Sequence, residues 1–296
     1  MHASLAVTAV TVQNAGDVLS WMPVPPDLVA AQAAAVFDDG PVAAAKTGML
    51  GTAGIVEALA GVFRDRLAGA PLVVDPVLRA GGGSALADGS LLDALREALL
   101  PLADLVTPNL HEASALAGMT VTDPSGMEVA AARILDTGCR AVLVKGGHLP
   151  GEPADLLRTR TGSTWFAGGR ITADDVHGTG CTLAASCAAL LACGLGLEEA
   201  VAGARTLVRR AISRRFPRRG GMLPGHFPPA APSPRTEDGA AWYLPPAFCT
   251  ACGAALGIAP GGAGHPRCPS CGVVHYRNPL PAAAVLLVDG GRLLLV

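Results

Sequence analysis

The sequence has no excess of charge of either sign. Its 296 residues carry 22 Lys and Arg against 24 Asp and Glu, a formal net charge of −2. Such a balance gives no overall attraction to nucleic acid or to an acidic membrane surface. The opening "MHASLAVTAVTVQN" lacks a basic stretch followed by an apolar helix and cleavage site, so secretion is not expected. A membrane-length apolar run is also missing. The longest, Leu183–Leu197, is broken by Ser186, Gly194 and Gly196, whereas a span needs about 20 apolar residues. The expectation is a cytoplasmic protein with no membrane and no nucleic-acid partner. Aromatic residues are scarce, and no internal repeat is visible. The Ala- and Gly-rich composition reads as a bias of the genome and carries no functional weight.

What is present is apolar mass and its periodicity. Half of the residues are hydrophobic, enough for one large core or two domains. Through residues 1–227, short β-branched runs alternate with Ala/Leu-rich stretches. "LAVTAVTV", "AAAKTGML", "PLVVDPVL", "DLVTPN" and "CRAVLVKGG" read as strands or as strands leading into loops. "PPDLVAAQAAAVFDD", "TAGIVEALAGVFRDRLA", "SLLDALREALLPLA", "HEASALAG" and "GMEVAAARILDTG" read as helices. Alternation of this kind predicts an α/β fold with a mainly parallel sheet and helices on both faces. Such sheets place chemistry at the carboxyl ends of their strands. Polar residues recur there: Gln13 and Asn14, Lys46 to Met49, Asp75, Asn109 to Glu112, Lys145 to His148. Five strand ends of this kind in succession point to a shared cleft.

The segment "DDVHGTGCTLAASCAALLACG" joins a glycine-spaced turn to a helix predicted over Thr182–Leu195. Unpaired N–H groups and the positive dipole end make a helix start an anion site. Gly178, Thr179, Gly180 and Cys181 are therefore candidates to cradle a phosphate. Other readings stand beside this one. Asn109 has the position of a helix cap, Asp75 before Pro76 fits turn chemistry, and Met49 fits core filler. His177 and His148 read as loop residues, and Cys187 and Cys193 as buried small residues. The basic run "RTLVRRAISRRFPRR" at 205–219 reads as a solvated helix end.

"HGTGC", with "KTGML", "VVDPV", "TPNLHEA" and "VKGGH" in that order upstream, resembles the hydroxymethylpyrimidine/phosphomethylpyrimidine kinases, within the ribokinase-like superfamily. The resemblance covers roughly residues 3–227, and "GMLPGHF" is similar to that family's C-terminal tail. It implies a three-layer αβα sandwich that transfers the γ-phosphate of ATP to a pyrimidine alcohol and then phosphorylates the monophosphate, in thiamine biosynthesis. It implies that Gly178 to Cys181 form the anion hole, with Cys181 nearest the accepting hydroxyl. A helix N-terminus lowers a cysteine's pKa, so Cys181 is a candidate base. Asn109 and Glu112 would organise Mg²⁺ and phosphate, Lys145 would stand near the nucleotide phosphates, and Asp75 near the metal. Gln13 and Met49 would line the pyrimidine pocket. The family's usual glycine-rich opening has no counterpart here, so the kinase-like part reads as short by one strand–helix unit. Pyridoxal kinase is a neighbouring alternative, and a non-catalytic kinase scaffold is one of a different class. Homodimer formation is an open expectation.

Residues 228–240, rich in Pro, Ala and charge, read as a linker. Residues 241–280 contain Cys249-x-x-Cys252 and Cys268-x-x-Cys271, fifteen residues apart. Four thiolates at that spacing predict a small C-terminal zinc ribbon with a structural Zn²⁺. Residues 281–296 hold two apolar runs around Asp289-Gly290-Gly291, a hairpin signal. The tail resembles the ribbon and first hairpin that open a Nudix hydrolase domain.

Overall fold

Four strands of only two to four residues, three of them wholly apolar, form the parallel heart of the fold. The computed structural model describes residues 3–78, 89–147, 149, 151–171, 176–218, 221–225, 254, 268–271, 287–289 and 292–294. In chain order the first elements are β1 (Ala9–Gln13), β2 (Val18–Pro23), α1 (Pro26–Asp39), β3 (Ala45–Thr47), α2 (Ala53–Arg66) and β4 (Leu72–Val74). Next come α3 (Gly89–Ala94), which runs on through a π turn and a 3₁₀ turn to Leu102, then β5 (Leu105–Val106), α4 (Leu110–Ala117), α5 (Pro124–Leu135) and β6 (Ala141–Val144). β7 (Ala154–Thr159), β8 (Ser163–Ala167), α6 (Thr179–Ala192), α7 (Leu197–Ser213), β9 (Phe216–Arg218) and β10 (Gly221–Leu223) complete this part.

The main sheet has the order β3-β4-β5-β6-β7-β8. β3 to β6 run parallel, and β7 and β8 are added antiparallel. Alternate residues of each strand serve opposite faces. Val74, Val106, Val142 and Val144 pack into a core shared with α1 to α5. Val73, Leu105, Ala141 and Leu143 pack into a second core with α6 and α7. Both faces of the central strands are thus covered, which is why the runs are apolar throughout rather than alternating. Each fully buried Leu, Ile or Val contributes roughly 1.5–3 kcal/mol, and Ile55, Leu72, Leu105, Ile134 and Leu143 are all of this kind.

The helices begin where local chemistry says they should. Thr52 caps α2 by accepting Ile55 N–H. Asp123 caps α5 ahead of Pro124. Asn109 and Glu112 cap α4 reciprocally, and Gly118 ends it in the left-handed conformation.

The structure departs from expectation at both margins of the sheet. The "LAVTAVTV" run does not join it. β1 folds back on β2 as a separate antiparallel hairpin, Thr11 opposite Trp21, with Val10, Val12, Leu19 and Met22 exposed. β2, β7 and β8 are strands that the apolar runs did not announce. α6 starts three residues earlier than expected, at Thr179.

The chain divides into two compact units, Ser4–Phe227 and a second comprising Pro228–Val296 with Met1–Ala3. In the second, β11 (Leu287–Asp289) pairs antiparallel with β12 (Arg292–Leu294), Asp289 opposite Arg292, as the Asp-Gly-Gly signal predicts. Cys249, Cys252 and the expected linker lie outside the described residues. Cys268 is buried and Cys271 exposed. No described helix is long and apolar enough to cross a membrane.

Candidate active site

Thr47 ends β3, Asp75 and Lys145 directly follow β4 and β6, and Asn109 lies shortly beyond β5. Asp75 N–H donates to Thr47 O (2.9 Å), Thr107 N–H to Val74 O (2.9 Å) and Lys145 N–H to Pro108 O (2.8 Å). Asn109 and Lys145 also form an isolated parallel bridge. These ladder bonds carry the strand register past the last apolar residue and so fix the polar side chains in a row.

The row is strongly coupled. Lys145 Nζ donates to Asp75 Oδ1 at 2.9 Å and lies 3.8 Å from Glu112 Oε2. Thr107 Oγ1 donates to the same Asp75 oxygen at 3.1 Å. Burial alone would pull the Lys145 ammonium down, but Asp75 and then Glu112 outweigh it and hold the pKa above its ordinary value. Burial pushes the Glu112 carboxyl up, and Lys145 and the Asn109 N–H offset this only in part. Two buried carboxylates therefore share one ammonium. Thr47 Oγ1, buried at the end of β3, has no hydrogen-bond partner. That donor chemistry, two hard carboxylates and a spare hydroxyl with charge left over, fits a divalent cation that keeps most of its water. Among the described residues no cluster of three His, Cys, Asp or Glu forms a ready-made cage.

The glycine turn faces this row. Gly178 caps α6 at φ 87°, a left-handed backbone that favours glycine. No side chain caps the helix, so its first N–H groups are left for a ligand. A Cβ at Gly180 would stand 3.2 Å from Lys145 Nζ, which brings the turn and the ammonium together. Residues 221–225 brace the turn: His177 N–H donates to Met222 O (3.0 Å) and Gly225 N–H to Ala211 O (2.9 Å). A cavity of about 450 Å³ opens here, lined by Asn109, Lys145, Gly178, Thr179 and Gly180 among others. Gly180, Asn109 and Lys145 thus face one hollow.

Other expectations need correction. Cys181 is partly open to solvent and does not line the cavity. Its pKa is raised, not lowered: burial pushes the thiol up, Asp75 adds to this, and Lys46 and Lys145 offset it only partly. At neutral pH it is a protonated thiol, poorly suited to act as a base. Asn109 and Glu112 form a capping box, with Asn109 N–H to Glu112 Oε2 at 2.8 Å and Glu112 N–H to Asn109 Oδ1 at 2.9 Å, so the cap reading and the site reading hold together. Gln13 is exposed on β1 beside Thr11 Oγ1 (3.5 Å). Met49 offers its carbonyl to Thr8 Oγ1 (2.6 Å). Neither lines the cavity. Cys187 is buried, with its thiol pushed up to about 12 by burial, but Cys193 is exposed. His148 lies outside the described residues.

The sequence reading missed the far wall. Arg170, Arg205 and Arg209 line the cavity with Ile171, Val176, Val208 and Ile212. Arg205 and Arg209 come from the basic run read as a solvated helix end. The sequence of that run gives no sign of which arginines turn inward.

Residues 1–226 match the phosphomethylpyrimidine kinase family. The chain belongs to that family. A hydroxymethylpyrimidine/phosphomethylpyrimidine kinase of Streptomyces coelicolor is 43% identical over 225 residues, 75% of this chain and 82% of the relative. A pyridoxal kinase from Staphylococcus aureus, solved with AMP-PCP, aligns with a TM-score of 0.68 at 31% identity, over 75% of this chain and 81% of that one. A phosphomethylpyrimidine kinase from Clostridium difficile aligns at 0.61 and 30% identity, over 70% and 85%. The ribokinase-like α/β architecture with a mainly parallel sheet is thereby established. The match ends at residue 226, so the cysteine-rich tail lies beyond it.

Proposed function

We propose that this kinase-family chain transfers the γ-phosphate of ATP to 4-amino-5-hydroxymethyl-2-methylpyrimidine and then phosphorylates the monophosphate, in thiamine biosynthesis. The observation that carries the phosphate site is the uncapped head of α6 standing against Lys145 Nζ, with Asp75 and Glu112 behind it. Phosphoryl transfer needs positioning and charge neutralisation more than covalent help. The N–H groups after Gly178 and the Lys145 ammonium would hold the transferred group. Asp75 and Glu112 would hold Mg²⁺, which supplies further neutralisation of the phosphates when bound. The aliphatic and arginine-lined wall fits the rest of the nucleotide. Cys181 would shape the acceptor pocket as a thiol, and Gln13 and Met49 would approach the pyrimidine from the hairpin side.

The solved pyridoxal kinases support a second acceptor, since their TM-scores exceed that of the pyrimidine kinase from Clostridium difficile. ATP consumption measured with hydroxymethylpyrimidine and with pyridoxal decides between them. Turnover with the pyrimidine at least tenfold above pyridoxal is expected. A reversed preference would replace the first reading with the second.

Glu112→Gln tests the metal role. Its raised pKa means that ionised Glu112 costs the fold stability, present above the folded pKa and relieved as pH falls through the window down to the ordinary carboxylate value. Glutamine keeps the capping bond and removes that cost. The variant should therefore melt no lower than the parent at pH 7, yet lose magnesium-dependent turnover by about 10²-fold or more. Unchanged turnover in Glu112→Gln removes Glu112 from the site.

For the tail, we read Cys249, Cys252, Cys268 and Cys271 as a structural zinc site and the segment as a ribbon opening a Nudix-like unit. The paired CxxC spacing and the β11–β12 hairpin support this. Elemental analysis of the purified chain should find about one zinc per molecule, reduced to a trace in Cys268→Ser. A metal content near zero in the parent ends this reading.

A further inference from the structure

The second half of the cavity wall contains a half-hidden ion pair that the phosphate chemistry above does not use. Asp155 Oδ2 accepts from Arg205 Nε at 2.7 Å, and both side chains are largely buried, 16% and 15% exposed. Asp155 Oδ1 accepts from Gly146 N–H at 2.9 Å. Gly146 is the residue directly after Lys145.

The register explains the arrangement. β6 and β7 pair antiparallel with Val144 opposite Leu156. Continuing that register would set Lys145 opposite Asp155 and Gly146 opposite Ala154. The regular pairing stops at Val144, and Lys145 N–H bonds Pro108 O on the β5 side. Gly146 then gives its N–H not to a backbone carbonyl of β7 but to the Asp155 side chain. A side-chain carboxylate thus replaces the next rung of the ladder.

A neutral acceptor would satisfy that N–H. A carboxylate in this setting carries a desolvation cost that only close pairing offsets. Its partner, Arg205, comes from α7 across the cavity, and its guanidinium lies 5.5 Å from the Phe166 ring centroid on β8. Arg205 is therefore held from two sides. One carboxylate links the backbone beyond the catalytic lysine, the start of β7 and the helix that forms the far wall. All of Lys145, Asp155 and Arg205 line the same cavity.

We propose that Asp155, clamped by Arg205, is a positioning residue that fixes the backbone after Lys145 and so aims the Lys145 ammonium at the transferred phosphate. The inference rests on the proposed phosphate site. Along its backbone Lys145 is held on the β5 side by the bond to Pro108 and the bridge to Asn109, so releasing Gly146 frees the β7 side and loosens the chain beyond the lysine. A misplacement of about 1 Å costs on the order of 10²-fold in rate.

The test is a double-mutant cycle on the full chain. Lys145→Met, Asp155→Ala and the double variant are compared for kcat, for KM of each substrate and for calorimetric affinity to AMP-PCP. Asp155→Ala is expected to lower kcat roughly 10- to 100-fold and to weaken AMP-PCP, with the KM for hydroxymethylpyrimidine unchanged. In the Lys145→Met background the same change should cost less than twofold in either readout. Arg205→Met should reproduce a smaller share of the loss and Arg205→Lys should restore most of it, which guards against a folding defect in Asp155→Ala. Losses that multiply in the double variant overturn the inference, as does Asp155→Ala with a lowered melting temperature but full kcat. Full turnover by Lys145→Met alone overturns the phosphate site itself and is recognisable as that separate failure.

Discussion

Lys145→Met is expected to cut turnover by about 10²- to 10³-fold, the usual cost of removing one preorganised donor to a developing charge. The ammonium is the only cation within 4 Å of Asp75 and Glu112 among the described ion pairs, at 2.9 and 3.8 Å. It also reaches the turn at Gly180. The same variant carries a stability signature. Two buried carboxylates lose their counter-charge, and breaking a buried pair costs about 3–5 kcal/mol. Without Lys145, the Glu112 pKa rises further. The destabilisation should then be full at neutral pH and shrink as pH falls through that raised value, because protonation removes the repulsion. Urea melts at pH 7.5 and 5.5, read beside kcat, check both halves. A variant that keeps its rate, or one whose stability deficit does not depend on pH, contradicts the assignment.

Gly146→Ala should be among the most damaging single-methyl additions at the described residues of the kinase unit. A Cβ there would run into the backbone carbonyl of Ala154, and would also stand 3.0 Å from Leu149 Cδ1. The first obstacle is main chain and cannot rotate away, so β6 and β7 must part. Overpacking of this kind costs about 1–3 kcal/mol. It would also break the Gly146–Asp155 bond and disturb Lys145. A fall in melting temperature together with at least a tenfold loss of kcat is the expected pair of results. Gly147→Ala, with nothing within 4 Å of its Cβ, is the control and should leave stability nearly unchanged.

What the sequence made legible follows the range of the interactions. β4, β5 and β6 are continuous apolar runs, and the signal needs no partner. The strand-end residues were readable because the helices after them start with local caps and turns, as Asn109 and Glu112 show. β7 and β8 were not readable: Ala154–Thr159 and Ser163–Ala167 mix charged, hydroxyl and apolar residues. Their strand character comes from pairing with β6 rather than from composition. β1 read as a strand but not as part of a detached hairpin, since a strand's partner is not written in its own residues. Arg205 is the same case at the site. Its carboxylate partner is fifty residues upstream, and a helix periodicity gives the face but not the occupant. The thiol of Cys181 went the other way from expectation because a local rule, the helix start, met a non-local one, burial and the nearby Asp75 carboxylate.

The row of residues at the ends of β3, β4, β5 and β6 acts as a ruler. Neighbouring strands lie about 4.8 Å apart, so three steps from Thr47 to Lys145 span roughly 14 Å. The two ends of the scale sit on different strands. Substitutions at the β3 end can therefore be made without touching the strand that carries Lys145, a separation of settings built into the sheet itself.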